Sequence, residues 1–288
     1  VLSGTGSDGA EGVRAIKAEG GMVMAQNPAS TDFDSMPRSA IATGMVDYEL
    51  PPAEMVSQLI TYVSHAFGKL PPSTAALKDD EIDSAVQKIF IVLHNDTGHD
   101  FSQYKPSTIL RRIRRRMAVC QIESIHAYVS HLQKKPSEVQ ALFNDLLIGV
   151  TSFFRDPEAF RMLEEKVIPK IFADKPANGT VRIWSAGCAT GEEAYSVAML
   201  LQERLELLKQ NYKLQVFATD IDDRAITTAR AGVYPGNIAA DVSEERLARF
   251  FISEADDSTY CIKKNVRDTL IFSGHNVIKD PPFSKIDL

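Results

Sequence analysis

The sequence has little of what covalent, metal and nucleic-acid chemistry needs. Of its 288 residues, 3 are cysteine, 6 histidine and 1 tryptophan. Cys120, Cys188 and Cys261 are scattered, so they give neither a disulfide framework nor a Cys-x-x-Cys metal spacing. They predict a reducing, cytoplasmic setting and no metal. Basic residues are outnumbered, 32 against 38 acidic, for a net charge of −6. That excludes a general nucleic-acid binder, which needs a basic face against phosphate. No run of about 18 apolar residues occurs, and no signal peptide is visible, so direct membrane insertion is not expected. What the chain does have is apolar material, 44% of residues. That is ample for buried cores, and the length allows about two domains.

The most informative stretch runs from Val181 to Ala194. An apolar, β-branched run, Val181-Arg182-Ile183-Trp184, breaks into a turn bounded by Gly187 and Gly191. Val197, Ala198, Leu201 and Leu205 then recur at helical spacing. This reads as strand, tight loop, helix. A second strand, Leu214 to Asp220, ends on an acid. In an open parallel sheet ligands sit beyond the carboxyl ends of the strands, and a carboxylate closing the second strand is placed to hold a ribose diol. Asp222, two residues on, is the rival for that role. The loop lacks the spaced glycines of a dinucleotide fingerprint and has no Gly-Lys-Ser/Thr ending. Glu192 and Glu193 stand where a phosphate would sit and would repel it, so a cationic nucleoside fits better.

The motif Ser185-Ala186-Gly187-Cys188-Ala189-Thr190-Gly191-Glu192-Glu193-Ala194-Tyr195-Ser196 is preceded by Thr151-Ser152-Phe153-Phe154-Arg155 and followed by Ala218-Thr219-Asp220-Ile221-Asp222. Together they resemble the chemotaxis receptor methyltransferase (CheR) family. The resemblance implies S-adenosyl-L-methionine as cofactor, with Thr151, Arg155, Gly187, Gly191, Glu193, Asp220, Asn276 and Val277 around it. Arg155 also serves catalysis by meeting the methionyl end or the substrate carboxylate, since an arginine fork suits a carboxylate. Gly274-His275-Asn276-Val277 matches the family's adenine-side motif, and His275 reads as a loop histidine. Gly149 stands where relatives often have Asn. Phe153 and Phe154 read as core or cleft wall. Between Gly232 and Phe272 the alternation of strand and helix is interrupted, as by the family's inserted antiparallel β subdomain. The turn Glu254 to Ser258 is short and without glycine, which argues against its gripping a receptor's tail.

At the start, Gly4-Thr5-Gly6-Ser7-Asp8-Gly9 matches a dinucleotide glycine pattern and opens a helix over 10–18. The strand after it, Met22 to Ala25, ends in Gln26-Asn27, so the ribose-binding acid of that motif is missing. With Ala25-Gln26-Asn27-Pro28 and Met36-Pro37-Arg38-Ser39-Ala40, the segment instead resembles the end of the receptor methylesterase (CheB) domain. The resemblance makes Asp8 the third member of a Ser-His-Asp triad, orienting the histidine. The serine and histidine would precede Val1, so the chain reads as a stretch cut at both ends. An amphipathic helix over 51–66, with Met55, Leu59, Val63 and Ala66 inward, closes this part.

The expected organisation is an α/β protein in four pieces. Residues 1–69 are the end of an α/β methylesterase domain, and 70–80 are a proline-containing linker. Residues 81–148 form a small all-α domain. Residues 149–288 form an incomplete Rossmann-like methyltransferase domain with its antiparallel insert. In the all-α part Ile82, Val86, Ile89 and Phe90 form one stripe. Leu110, Ile113 and Met117 form another, with Arg111, Arg112, Arg114, Arg115 and Arg116 around it. Such a run is either a solvated face or a steering surface for an acidic partner. The resemblance favours the second, with Arg112, Arg115 and Arg116 meeting the cytoplasmic helices of a chemoreceptor. The implied activity is protein-glutamate O-methylation beside a methylesterase remnant, in chemotaxis signal adaptation. The alternative is a non-catalytic signalling scaffold that binds receptor helices.

Overall fold

A computed structural model describes residues 1–7, 9–67, 79–149, 151–176, 178–209, 211–253 and 259–288. Asp8, most of the expected linker and the turn 254–258 lie outside the described residues. The chain divides into two compact units, Val1–Ile148 and Gly149–Leu288. No helix among the described residues is long and apolar enough to cross a membrane.

The first unit opens with α1 (Gly9–Ala18), β1 (Met24–Gln26), α2 (Ser35–Ala42), β2 (Tyr48–Leu50) and α3 (Pro52–Phe67). Strands β1 and β2 pair in parallel, Met24 opposite Tyr48, over a small core of Val13, Val23, Ala25 and Ala40. Four helices follow: α4 (Asp79–Thr97), α5 (Pro106–Val119), α6 (Ile125–Lys134) and α7 (Pro136–Leu146). Proline opens α5 and α7 at a position where its missing N–H costs nothing, and the Ser124 hydroxyl caps α6 by accepting from Ala127 N. Ala85, Ile89, Leu93, Ile109, Ile113, Tyr128, Leu132 and Leu142 form the core of this bundle.

Two expectations for this unit are corrected. The inward face of α3 is not Met55-Leu59-Val63-Ala66. Tyr62 is buried, whereas Val56, Leu59, Ile60 and Val63 are exposed. Apolar residues occur on two sides of α3, and tertiary packing selects one of them. The second correction concerns α5. Arg112, Arg115 and Arg116 are buried; only Arg111 and Arg114 face solvent.

The second unit begins with α8 (Pro157–Met162), a π-turn (Leu163–Val167) and α9 (Ile168–Ala173). Then come β3 (Thr180–Ala186), α10 (Glu192–Leu208), β4 (Lys213–Asp220) and α11 (Asp223–Ala231). The insert follows as β5 (Val233–Pro235), α12 (Glu244–Phe250), β6 (Phe251–Ser253), β7 (Thr259–Ile262) and α13 (Lys264–Arg267), before β8 (Leu270–Gly274). Strands β3, β4 and β8 form a parallel sheet in that order, with Ser185 opposite Ala218 and Ala218 opposite Phe272. Val216, Phe217, Ala218 and Thr219 are all buried, the near-continuous burial of a central parallel strand. Asp287 N and Leu288 O hydrogen-bond to Arg182 and Trp184 on the edge of β3 that β4 leaves open. The insert is an antiparallel sheet in the order β5-β7-β6. Its residues Tyr234, Phe251, Ile262 and Val266 belong to the same core as Val181, Ala198 and Val216 of the main sheet.

Candidate functional site

In the second unit the carboxyl ends of β3, β4 and β8 meet one loop, residues 186–191. Its first half is tied to β4, because Gly187 N and Cys188 N both donate to Thr219 O, at 2.7 and 2.9 Å. Its second half turns into α10 through Gly191, whose φ of 97° lies in the region open to glycine. A Cβ on Gly191 would come within 2.9 Å of the Ala229 Cβ and 3.2 Å of the Tyr234 hydroxyl. Gly187, at φ 72°, is the opposite case: a Cβ there would meet nothing within 4 Å. Gly191 is glycine for close packing, and Gly187 leaves open space at the mouth of the loop.

Asp220 closes β4 beside this loop. Its Oδ2 accepts from Ala189 N at 2.8 Å and its Oδ1 from Asp222 N at 2.9 Å, which fixes the carboxylate plane and leaves each oxygen a further lone pair. Asp222 has a different duty. Its side chain caps α11 by accepting from Arg224 N at 2.9 Å and pairs with the Arg224 guanidinium. Glu193, exposed on the first turn of α10, accepts the Ser185 hydroxyl at 2.8 Å. Thr190 Oγ1 donates to the Glu192 carboxylate. Two carboxylates at this helix start oppose an anion and suit a cation. Burial, with the Asp220 charge second, pushes the Cys188 thiol up to about 12, so it is a neutral wall of the site rather than a nucleophile.

The segment from Thr151 to Arg155 is fastened to α10. Phe154 N donates to Ser196 Oγ at 3.0 Å, and Ser196 Oγ donates to Glu192 O at 2.7 Å. Phe153 is core, its ring edge-on to Tyr234 at 4.9 Å and to Phe251 at 5.5 Å. Phe154 is left-handed at φ 49° and lies under the Arg246 guanidinium, while Arg155 is exposed. Gly149 touches the loop: a Cβ there would lie 2.9 Å from the Ala189 Cβ. An Asn in its place would have to displace the loop.

Beyond β8, His275 N donates to Asp220 O at 2.9 Å, tying the third strand's end to the second. The His275 ring is part of an aromatic cluster with Trp184 and Phe283. Asn276 Oδ1 accepts from Ile278 N and Lys279 N, so its oxygen is engaged in a turn and its NH₂ is the group it can turn to a ligand. Val277 is exposed next to it. Gly187, Gly191, Glu193, Asp220, Thr151 and Arg155 thus lie on elements joined by the loop, with Asn276 and Val277 one strand farther along the same edge.

The three arginines assigned to a partner do not form a displayed surface. Arg112 donates to Lys17 O and Ala18 O; Arg115 donates to Gly21 O and pairs with Asp47 and Asp145; Arg116 pairs with Glu138 through two nitrogens. Lys17 joins the cluster through Asp47 at 2.7 Å. A face that reads as solvated from its own helix is buried because the N-terminal segment brings a carboxylate and three carbonyls to it. Among the described residues one possible metal-ligand group, invisible to sequence spacing, also assembles: Cys120, His131 and Glu138, with ligand atoms within 4.8 Å. Arg116 already holds that carboxylate, and burial pushes the Cys120 thiol up to about 11, both of which oppose a cation.

Comparison with known families matches residues 149–288 to the CheR methyltransferase, SAM binding domain. Residues 84–147 match the CheR methyltransferase, all-alpha domain, and 1–59 match CheB methylesterase. The chain is 40% identical over 307 residues to an uncharacterized 104.1 kDa protein in the hypE 3'region of Rhodobacter capsulatus, a match that covers 100% of this chain and 32% of that protein. It is 28% identical over 205 residues to the chemotaxis protein methyltransferase of Borreliella burgdorferi, covering 69% of this chain and 72% of the relative. Against chemotaxis protein methyltransferase 2 of Pseudomonas aeruginosa the identity is 32% over 160 residues, 56% of this chain and 55% of the relative. The chain therefore spans about a third of the length of the R. capsulatus relative.

Proposed function

For a chain that belongs over residues 84–147 and 149–288 to the CheR methyltransferase family and carries a CheB methylesterase segment at 1–59, we propose the activity of a protein-glutamate O-methyltransferase. It transfers the methyl group of S-adenosyl-L-methionine to glutamate side chains of chemoreceptor helices, in chemotaxis signal adaptation. The observation that carries the reading is the pairing of Asp220 with the open mouth of the loop at Gly187. A fixed carboxylate acceptor stands beside space that no side chain fills, at the edge of a parallel sheet where a nucleoside is received.

The residues present fit such a cofactor. Asp220 holds the ribose hydroxyls; Gly187 and Gly191 let the backbone approach; Glu193, with its neighbour Glu192, favours the positive end; Asn276 and Val277 border the base; Thr151 and Arg155 border the methionyl end. When bound, the cofactor supplies a methyl group on a sulfonium. A glutamate carboxylate is already ionised at pH 7 and needs no general base. The protein's part is to place it in line and exclude water, with Arg155 orienting the carboxylate through its fork. The surface left on α5 for an acidic receptor helix is Arg111 and Arg114, one turn apart and exposed. In the methylesterase segment, Asp8 is proposed as the triad acid on the resemblance alone.

Asp220→Ala tests the cofactor site. An ionised acceptor for two hydroxyls is worth roughly 1.5–3 kcal/mol, or about ten- to a hundredfold in affinity for S-adenosylhomocysteine by calorimetry. Asp222→Ala removes a helix cap instead and leaves that affinity nearly unchanged. Equal losses from the two, or none from Asp220, would overturn the reading.

A further inference from the structure

We infer that Tyr234, in the first strand of the antiparallel insert, is a positioning residue for the cofactor loop. This rests on the loop 186–191 being the cofactor loop, as proposed above. The first half of that loop has its own anchor, the two amides on Thr219 O. The second half meets the end of β4 through Ala189 N on the Asp220 carboxylate at 2.8 Å. Its carbonyl at Thr190 accepts the Tyr234 hydroxyl at 2.7 Å, a bond to the insert rather than to the main sheet.

Three features make this bond more than packing. Tyr234 is 3% exposed, so no water competes for the Thr190 carbonyl from that side. Burial drives the Tyr234 hydroxyl well above its ordinary range, so it stays a donor at any working pH. The loop also passes close to the tyrosine, since a Cβ added at Gly191 would come within 3.2 Å of its oxygen. Glycine at 191 therefore leaves the room in which the hydroxyl reaches the Thr190 carbonyl. The ring meets Phe153 edge-on at 4.9 Å, and Phe153 meets Phe251 of β6 at 5.5 Å. One side chain thus links the loop, the Thr151–Arg155 segment and the insert. The insert braces the methyl-donor site from behind, whatever else its outer face contacts.

A matched control lies next to it. The buried Tyr195 also donates its hydroxyl to a main-chain carbonyl, Ala229 O, at 2.8 Å, but that carbonyl is in α11 and not in the loop. Tyr234→Phe and Tyr195→Phe each keep the ring and delete one buried hydrogen bond. On the full chain, Tyr234→Phe is expected to weaken S-adenosylhomocysteine binding by about five- to tenfold, measured by calorimetry. Tyr195→Phe should lower the melting temperature comparably and leave that affinity within about twofold. Equal affinity losses in both variants, or an unchanged affinity in Tyr234→Phe, overturn the assignment. Asp220→Ala measured in parallel separates the two claims: if it fails to weaken binding, the cofactor reading itself is wrong. If Asp220→Ala weakens binding and Tyr234→Phe does not, only the positioning role is wrong.

Discussion

Replacing Arg115 with Ala measures how much of the first unit depends on its buried charges. Arg115 and Asp47 have side-chain exposures of 3% and 0%, and Asp145 has 6%. The substitution leaves both carboxylates buried and deletes the bond to Gly21 O. Removing one partner of a buried pair costs about 3–5 kcal/mol, because the remaining charge is neither solvated nor neutralised. Lys17 stays at 2.7 Å from Asp47 and 3.4 Å from Asp145 and offsets part of the loss, so the lower end, about 3 kcal/mol, is expected. Arg111→Ala, on the exposed side of the same helix, should stay within about 0.5 kcal/mol. The one tryptophan of the chain, Trp184, is in the second unit and does not report on the first, so urea unfolding is followed by far-ultraviolet circular dichroism. Adding Asp145→Ala to Arg115→Ala should recover stability, since it removes one stranded charge. If Arg115→Ala costs no more than Arg111→Ala, the cluster does not hold the N-terminal segment on α5.

Two further outcomes follow from the same helix. Burial alone would raise Glu138, but its hydrogen bonds to Arg116, with the Arg116 charge, hold it below the usual carboxylate value. Its stabilising contribution is therefore present above the unfolded value of about 4.3 and is lost as the pH falls through the folded one; the urea midpoint of the first unit should drop on acidification below about pH 4, and Glu138→Gln should flatten that slope. Arg111→Ala with Arg114→Ala should weaken binding of an acidic receptor helix and flatten its salt dependence while sparing S-adenosylhomocysteine affinity. A loss of cofactor affinity instead would place the partner surface elsewhere.

The parallel core of the second unit was legible because its signals are local and agree. Val181 to Trp184 is β-branched and apolar, Gly187 and Gly191 bound the turn, and the apolar spacing from Ala194 is helical. Strand, loop and helix appear at Thr180–Ala186, 187–191 and Glu192–Leu208. The preference for Asp220 over Asp222 rested on strand position and resemblance, and the two carboxylates differ in what they bond. Asp222 caps α11, while Asp220 at the strand end accepts from Ala189 N of the loop. Tyr234 gave no such signal. Its partner Thr190 is 44 residues away, and nothing in a Gly-Val-Tyr run announces a hydrogen bond back to an earlier loop.

The arginine helix shows why periodicity stops short of a surface. Of the expected stripe Leu110, Ile113 and Met117, the last two are buried in the bundle core, where Ile109 takes the place of the half-buried Leu110; spacing says only which side of α5 meets its own bundle. A second buried side requires a second neighbour, and the neighbour is supplied by residues 68 to 95 positions earlier, Asp47 and the carbonyls of Lys17, Ala18 and Gly21. Arginine can serve on such a side because its fork satisfies carbonyls and carboxylates together, where lysine or an apolar residue could not. A charged side chain in a helix pattern is therefore evidence for solvent only where no acid or carbonyl elsewhere in the chain folds onto it. Here Arg111 and Arg114 meet that condition, and Arg112, Arg115 and Arg116 do not.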